Sequence, residues 1–404
     1  MNVFHAFSGV DSQLMAEKRV WGNKVNLIGT MEVDIDAIIS SGLIHHNERL
    51  QEELKKELNK DRIEFMKLWL KERNIGYDFE KGKSKIDRLS TDKLNKLFLS
   101  CLLTRNYGDI SLANKVKLKD EIDLFTYSSP CQSFSIAGKQ QGLNGVSGLL
   151  LECKKFIEIN KPKFLLLENV KNLVGKKFIK DFENWLLILD GLGYNSYWEI
   201  LNAKDFGVPQ NRERVFCLSI RKDIDKGYNF PTKISLEKRL KHLLDDNVYD
   251  KYYLKDTVKF FINNSYDNAS TSDDELKSVR LFGIFDTEKS RHQAGSVWDK
   301  EMLAPTLDTM QGGYRQPLII DRTDKIITME NYELAKTIGD NDFIIRRLTP
   351  RECWRLMDFD EDVFDKVKND ISDTQLYKQA GNSIVVSCLE YIFKNIKNTY
   401  KECD

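Results

Sequence analysis

The chain has 404 residues, 41% hydrophobic and 31% charged, with 62 Lys+Arg against 62 Asp+Glu. That length is enough for two or three domains with a sizeable core, and the composition is that of a folded globular protein, neither disordered nor collagen-like. No stretch reaches the ~18 apolar residues that a membrane helix needs, no secretory signal opens the chain, and the balanced charge supplies no bulk field for nucleic acid, although a local basic groove remains compatible with it.

In chain order, residues 3–7 make a short apolar strand that ends in Ser8-Gly9, and residues 12–20 place Leu14, Met15 and Val20 near helical spacing. A second strand, 26–33, closes on Glu32-Val33-Asp34, and Ile35, Ile38 and Ile39 open a second helix. Further strands are predicted at 122–127, 164–167 and 215–220. Apolar strands alternating with helices predict an α/β fold with a mostly parallel sheet covered on both faces. Residues 47–100 interrupt this pattern; dense in Glu and Lys and free of Pro, they predict two solvated helices inserted between sheet elements. Past Pro231 come short strand-like pieces and an acidic loop at 267–275, and helical signals resume at Arg346. The expected domains are 1–230, with the insertion at about 47–100, then 231–345, then a return at 346–404. Seven cysteines, odd in number and without a C-x-x-C pair, argue against a disulfide framework and structural zinc and fit a reducing cytoplasm.

Several of these positions carry chemistry. Gly9, in the first strand-to-helix turn, would let a cofactor approach the backbone, and Glu32, 23 residues further on, stands where an acidic residue takes ribose hydroxyls. Asp11 occupies a usual Gly position and would repel a pyrophosphate, which favours a phosphate-free cofactor such as S-adenosylmethionine over NAD. Cys131 follows a strand through Ser128-Ser129-Pro130, facing the crevice where such sheets bind ligands, and precedes a loop of small residues that could close over a substrate. Glu168 follows four apolar strand residues, where burial would raise its pKa and suit it to donate a proton to a ring nitrogen. Arg212 and Arg214 alternate along an extended segment and so share a face, ready for a carboxylate, a phosphate or a base edge. Gln379-Ala380-Gly381-Asn382-Ser383 opens a helix-like run over 384–393.

The order of these pieces resembles that of the cytosine-5 DNA methyltransferases: Phe7-x-Gly9, Pro130-Cys131-Gln132, Glu168-Asn169-Val170, Gln210-x-Arg212-x-Arg214, Arg347-Leu348-Thr349-Pro350-Arg351-Glu352 and Gln379-Ala380-Gly381-Asn382-Ser383. Gly108-Asp109-Ile110 and Gly148-Leu149-Leu150 resemble two lesser family segments, and Asp11 departs from the family pattern. The resemblance covers nearly the whole chain except the charged insertion and most of 231–345. It implies a Rossmann-like S-adenosylmethionine-dependent domain with a smaller, mostly irregular or β target-recognition domain. It implies Cys131, Glu168, Arg212 and Arg214 as catalytic residues acting on a flipped-out cytosine. Phe7, Gly9, Glu32, Val33, Asp109, Ile110, Pro130, Leu150, Asn382 and Ser383 would bind the cofactor, with no metal. Gln132, Ser133, Ser135, Thr306, Leu307, Gln311, Gly312, Gly313 and Arg315 would meet double-stranded DNA.

The segment 231–345 holds 16 Lys/Arg against 20 Asp/Glu, a net charge of −4, so phosphate contacts must come from a few placed residues such as Arg291 and Arg315. The expected protein is a monomer in a bacterial cytoplasm, associated with the nucleoid, a restriction-modification or epigenetic enzyme with a cognate endonuclease as candidate partner. Two alternatives are a tRNA cytosine-5 methyltransferase and a catalytically silent DNA-binding relative.

Overall fold

In a computed structural model, residues 1–129, 143–254, 276–284, 294–310, 315–322 and 344–400 are described. In chain order the strands are β1 (Asn2–Ala6), β2 (Asn26–Met31), the small hairpin β3 (Tyr77–Asp78) and β4 (Lys83–Ser84), β5 (Leu124–Tyr127), β6 (Phe164–Val170), β7 (Tyr194–Asn202) and β8 (Glu213–Arg221). Six of them form the main sheet in the order β2-β1-β5-β6-β8-β7. The pairs β1–β2, β1–β5 and β5–β6 are parallel, and β8 runs antiparallel to both of its neighbours. The five expected strands are all present. The sixth, β7, lies at an edge, and its sequence Tyr-Asn-Ser-Tyr-Trp-Glu-Ile-Leu-Asn mixes polar and apolar residues on both faces, so no period-two signal marks it.

Period-two alternation within the strands explains the two covered faces. Val3, Leu124, Phe164, Leu166 and Leu218 point to one side, against α1 (Ser12–Trp21), α2 (Ile35–Leu54) and the C-terminal helices. Phe4, Phe125, Tyr127, Leu165 and Leu167 point to the other, against Phe156 of α5 (Leu143–Asn160) and Phe182 and Trp185 of α6 (Ile179–Gly191). Here the rings of Phe4 and Phe125 stand 4.5 and 4.7 Å from that of Phe156.

The charged stretch departs from its expected solvated character. It contains the end of α2, then α3 (Lys60–Glu72) and α4 (Thr91–Leu103), and its leucines converge on the core. Met66, Leu70, Leu94, Leu97 and Leu99 are all buried in the cluster that includes α1. A Cβ on Gly42 of α2 would meet Ser100 Oγ of α4 at 2.3 Å, so the two helices touch backbone to side chain. The Glu and Lys residues cover only the outer surface.

A second sheet follows, in the order β12-β11-β10-β9, built of β9 (Arg280–Gly283), β10 (Ser296–Trp298), β11 (Leu318–Arg322) and β12 (Ile344–Arg347). The chain then returns through α7 (Pro350–Arg355), α8 (Glu361–Val367), α9 (Asp373–Asn382) and α10 (Val386–Thr399), and α10 packs on α1 with Phe393 against Trp21. Arg346 joins the second sheet to this return. Fully buried, it donates to both oxygens of the equally buried Glu352 at 2.8 and 2.9 Å, and its Nε donates to Asp321 at 2.8 Å. Glu352 also accepts from the backbone of Thr349 and Asp245. Glu352→Ala would leave a buried guanidinium without its main partner, at a cost of about 3–5 kcal/mol. A large fall in the thermal unfolding midpoint is expected, and an unchanged midpoint would contradict the joint.

Candidate active site

The register of the parallel strands aligns four residues on one edge of the sheet. Ala6 pairs with Met31 and with Tyr127, and Tyr127 pairs with Leu167. The residues that follow each of these therefore stand side by side on this edge: Phe7, Glu32 and Ser128 just past the carboxyl ends of β1, β2 and β5, and Glu168 still inside β6, two residues before its end. Between β1 and β5 the connections depart in opposite directions, which makes a crevice where such sheets bind ligands. β8, running the other way, starts at this same edge and sets Arg214 opposite Val170.

The turn after β1 is strained. Phe7, Gly9 and Asp11 have φ of 56°, 57° and 67°. In the two non-glycine residues this left-handed conformation costs about 1–3 kcal/mol each and persists only where neighbours enforce it. A Cβ on Gly9 would point into open space, where a ligand could lie. Glu32 accepts from Gly9 N at 2.9 Å through one oxygen and from Val33 N and Asp34 N at 2.8 Å through the other. Three of the roughly four acceptor positions of a carboxylate are thus filled, leaving one for a hydroxyl. Burial, with Asp34 close by, pushes the Glu32 carboxyl up. Asn106 fixes the Glu32 backbone by accepting from its N–H and donating to its carbonyl. Asp109 accepts from Ser111 N at 2.8 Å, while Ile110 and Leu150 are buried in the same apolar cluster.

Asp11 is not where the sequence argument put it. It is fully buried, caps α1 through Leu14 N and lies 2.7 Å from His5 Nδ1. Its charge is directed into the core, so it does not repel an anion on the turn, and that reason for disfavouring a phosphate falls away.

Glu168 continues β6 and points to the face of Leu166 and Phe164, the face that Arg214 and Arg212 share with Phe216 and Leu218. Its Oε1 is 3.2 Å from Arg214 Nε. Burial outweighs the two arginines and a hydrogen bond from Ser128, and raises the carboxyl above the ordinary glutamate range. Asn169 donates to the Ser129 carbonyl at 3.2 Å, which ties the start of the cysteine loop to the strand of Glu168. Arg212 and Arg214 line one small cavity with Leu201, Phe216, Ile384, Val385 and Cys388. Arg212 itself turns to backbone. It donates to the carbonyls of Leu307 at 2.8 Å and of Gly381 and Ser383 at 2.9 Å.

Those three carbonyls belong to the other expected motifs. Thr306 donates to the Asn211 carbonyl, and the N–H of buried Leu307 donates to Gln210 Oε1, so this pair docks the segment on the residues just before β8. A Cβ on Gly381 would lie 1.8 Å from the Asp308 carbonyl, so only glycine permits this contact. The segment 379–383 does not open a helix: it ends α9, and Ser383 donates back to the Gln379 carbonyl before α10 begins at Val386. Asn382 is exposed, as is Arg315, while Gln316 is buried and donates to Met310 O. Pro130, Cys131, Gln132, Ser133, Ser135, Arg291, Gln311, Gly312 and Gly313 lie outside the described residues. The five described cysteines are buried free thiols, each pushed up by burial, Cys217 to about 12. Among the described residues no His/Cys/Asp/Glu group could hold a metal and no helix is long and apolar enough to cross a membrane.

The family model of the C-5 cytosine-specific DNA methylases matches residues 79–398. The type II methyltransferase M2.ScrFI of Lactococcus lactis subsp. cremoris is 38% identical over 400 residues, spanning 98% of this chain and 99% of that protein. This chain belongs to the C-5 cytosine-specific DNA methylases. The orphan methyltransferase M.SssI of Spiroplasma monobiae is 30% identical over 98% of this chain and 97% of its own length. In fold, the chain is similar to the S. pombe Dnmt2 methyltransferase, with a TM-score of 0.60, 17% identity and 98% of both chains covered. As a member of the family this protein is a DNA cytosine-5 methyltransferase, and the tRNA-directed and silent alternatives are not favoured.

Sequence reasoning missed Asn106 and the buried partners of Asp11, and it quoted Asn169 and Gln210 within motifs without their anchoring roles. His5, a lone ionisable residue in an apolar strand, also carried a signal. The methylase's Glu168 gives a pH test. Its folded carboxyl titrates above its unfolded value, so its charge destabilises the fold as pH rises from the ordinary glutamate value through the raised one. Glu168→Gln should therefore unfold at a higher temperature than wild type at about pH 8, with the gap closing toward about pH 4. Melting curves with a gap independent of pH would refute this.

Proposed function

We propose that this methylase transfers a methyl group to carbon 5 of a cytosine flipped out of a short duplex DNA site, through a covalent adduct on Cys131. The observation that carries the reading is the aligned edge of β1, β2, β5 and β6, where Phe7, Glu32 and the approach to Cys131 leave the sheet beside Glu168 of β6, and Arg214 of β8 enters it opposite Val170. S-adenosylmethionine, when bound, supplies an electrophilic methyl group. Phe7 and Gly9 would flank its methionine part, Glu32 with Val33 would take the ribose, Asp109 and Ile110 the adenine, and Pro130, Leu150, Asn382 and Ser383 the remaining sides. The open space above Gly9 and the remaining acceptor position on Glu32 fit such a nucleoside.

Cytosine carbon 5 is a weak nucleophile, so the Cys131 thiolate first adds at carbon 6. Glu168, whose carboxyl burial pushes up, gives a proton to ring N3, and Arg214 holds the cytosine carbonyl. Once carbon 5 carries the methyl group, a water takes its proton, the Cys131 thiolate leaves carbon 6, and N3 returns its proton to Glu168, so that aromaticity is restored. Arg212 supports this site through the backbone it binds. Gln132, Ser133 and Ser135 would meet the DNA as the base leaves the stack. We assign 1–230 and 346–404 to catalysis and 231–345 to target recognition, in a monomeric cytoplasmic enzyme of the restriction-modification type with a cognate endonuclease as its candidate partner.

Cys131→Ser should abolish methyl transfer from labelled S-adenosylmethionine while DNA and cofactor binding persist, because a hydroxyl is scarcely ionised at neutral pH. Duplexes carrying 5-fluorocytosine should trap an adduct, since fluorine cannot leave as a proton does. Full turnover by the variant, or an adduct mapped by mass spectrometry to another cysteine, would overturn the nucleophile.

Target readout is separable from chemistry. Substituting Gln311 or Arg315 should relax or weaken site choice, each good base contact discriminating by ~1–3 kcal/mol, with cofactor affinity near wild type. Unchanged site preference together with lost cofactor binding, measured at one salt concentration, would remove 231–345 as the reader.

A further inference from the structure

Beneath the turn that leaves β1 lies a buried charged cluster for which the proposed chemistry has no role. His5 of β1 sits between two carboxylates of α1, with Nδ1 2.7 Å from Asp11 Oδ1 and Nε2 3.0 Å from Glu17 Oε1, and all three residues are fully buried. Each ring nitrogen faces a carboxyl oxygen. Burial opposes a charge on the ring, but the two acidic neighbours prevail and push His5 up to about 10, while burial also pushes the Glu17 carboxyl up. Among the described residues, the other element that brings an ionisable group to the cluster is α2. There His45 Nε2 lies 3.1 Å from the Asp11 carbonyl, and burial pushes that ring down to about 4, which keeps it neutral. Asp11 N donates to the Ser8 carbonyl at 2.8 Å, and Asp11 Oδ1 accepts from Leu14 N.

Apart from the His5–Glu17 contact, which holds the ring from its far side, these contacts meet at Asp11, which stands in a left-handed conformation at φ 67° that its β-carbon disfavours. A non-glycine residue keeps such a conformation only where its surroundings over-determine it. Two residues before it is Gly9, whose N–H is held by Glu32. We infer that the Asp11–His5–Glu17 cluster is a positioning device: it clamps Asp11 from below and so holds Gly9 and Glu32 in the arrangement that receives S-adenosylmethionine. This rests on the reading of that turn as the cofactor site. A glycine at position 11 would adopt the same backbone without help, whereas aspartate requires the clamp.

The logic gives a rescue experiment, read by the equilibrium dissociation constant of S-adenosylmethionine in calorimetry, with melting curves alongside. His5→Asn should weaken cofactor binding about tenfold and raise KM for the cofactor more than it lowers kcat. Adding Asp11→Gly to His5→Asn should bring affinity back to within about threefold of wild type, because the backbone no longer needs the clamp. If His5→Asn fails to fold, Asp11→Asn, which keeps the shape and removes the charge, carries the same expectation of an about tenfold loss. Wild-type affinity in the first folded variant, or a loss that persists or deepens when glycine is added, overturns the inference while the cofactor reading stands. No binding of S-adenosylmethionine by the wild-type chain overturns the cofactor reading, and the inference with it.

Discussion

The buried guanidinium of Arg212 holds together parts of the chain that are far apart in sequence. Its three carbonyl partners, Leu307, Gly381 and Ser383, lie 95, 169 and 171 residues away. A cation this deeply buried needs acceptors, and carbonyl oxygens supply them without adding a countercharge beside Glu168. The same bonds fix the turn between α9 and α10 against the start of β8, and they seat the segment before Met310 on the sheet. Gly381, pressed against the Asp308 carbonyl, completes the seam. Were this seam to open, Arg214 and the cavity beside Glu168 would lose their outer wall.

Buried charge serves both the scaffold and the site. Arg346 and Glu352 satisfy one another in a dry joint, and Asp11, His5 and Glu17 form a cluster of their own. Glu168, like Glu32 and Glu17, is pushed up by burial, and even its two arginine neighbours do not recover the desolvation. A carboxyl raised in this way has a cost in stability at neutral pH and a use in proton transfer. The overall neutrality of the chain conceals these local imbalances.

Some sequence arguments failed for reasons of direction. Asp11 was placed by its position in a turn, but a side chain one residue before a helix can point outward to a ligand or inward to the core, and here His5 draws it inward. The charged insertion was read from the density of Glu and Lys, yet its spaced leucines face α2 and complete the core. Thr306 and Leu307 also anchor the segment that carries them, through Asn211 and Gln210 just before β8, which no local signal announces. Edge strand β7 left no trace, since half of it faces solvent.

By itself the sequence determined the elements whose signals are local: five sheet strands with their apolar runs, the helices that follow them, the shared face of Arg212 and Arg214, and the ordered motifs of the family. Periodicity and motif order survive without knowledge of partners. Tertiary structure alone decided the register that brings Phe7, Glu32, Ser128 and Glu168 to one edge, the division of labour between Arg214 beside a carboxylate and Arg212 on three carbonyls, and the inward charge of Asp11. Those features depend on which groups are desolvated together. Desolvation is a property of the packed whole, in which residues hundreds of positions apart exclude the same water.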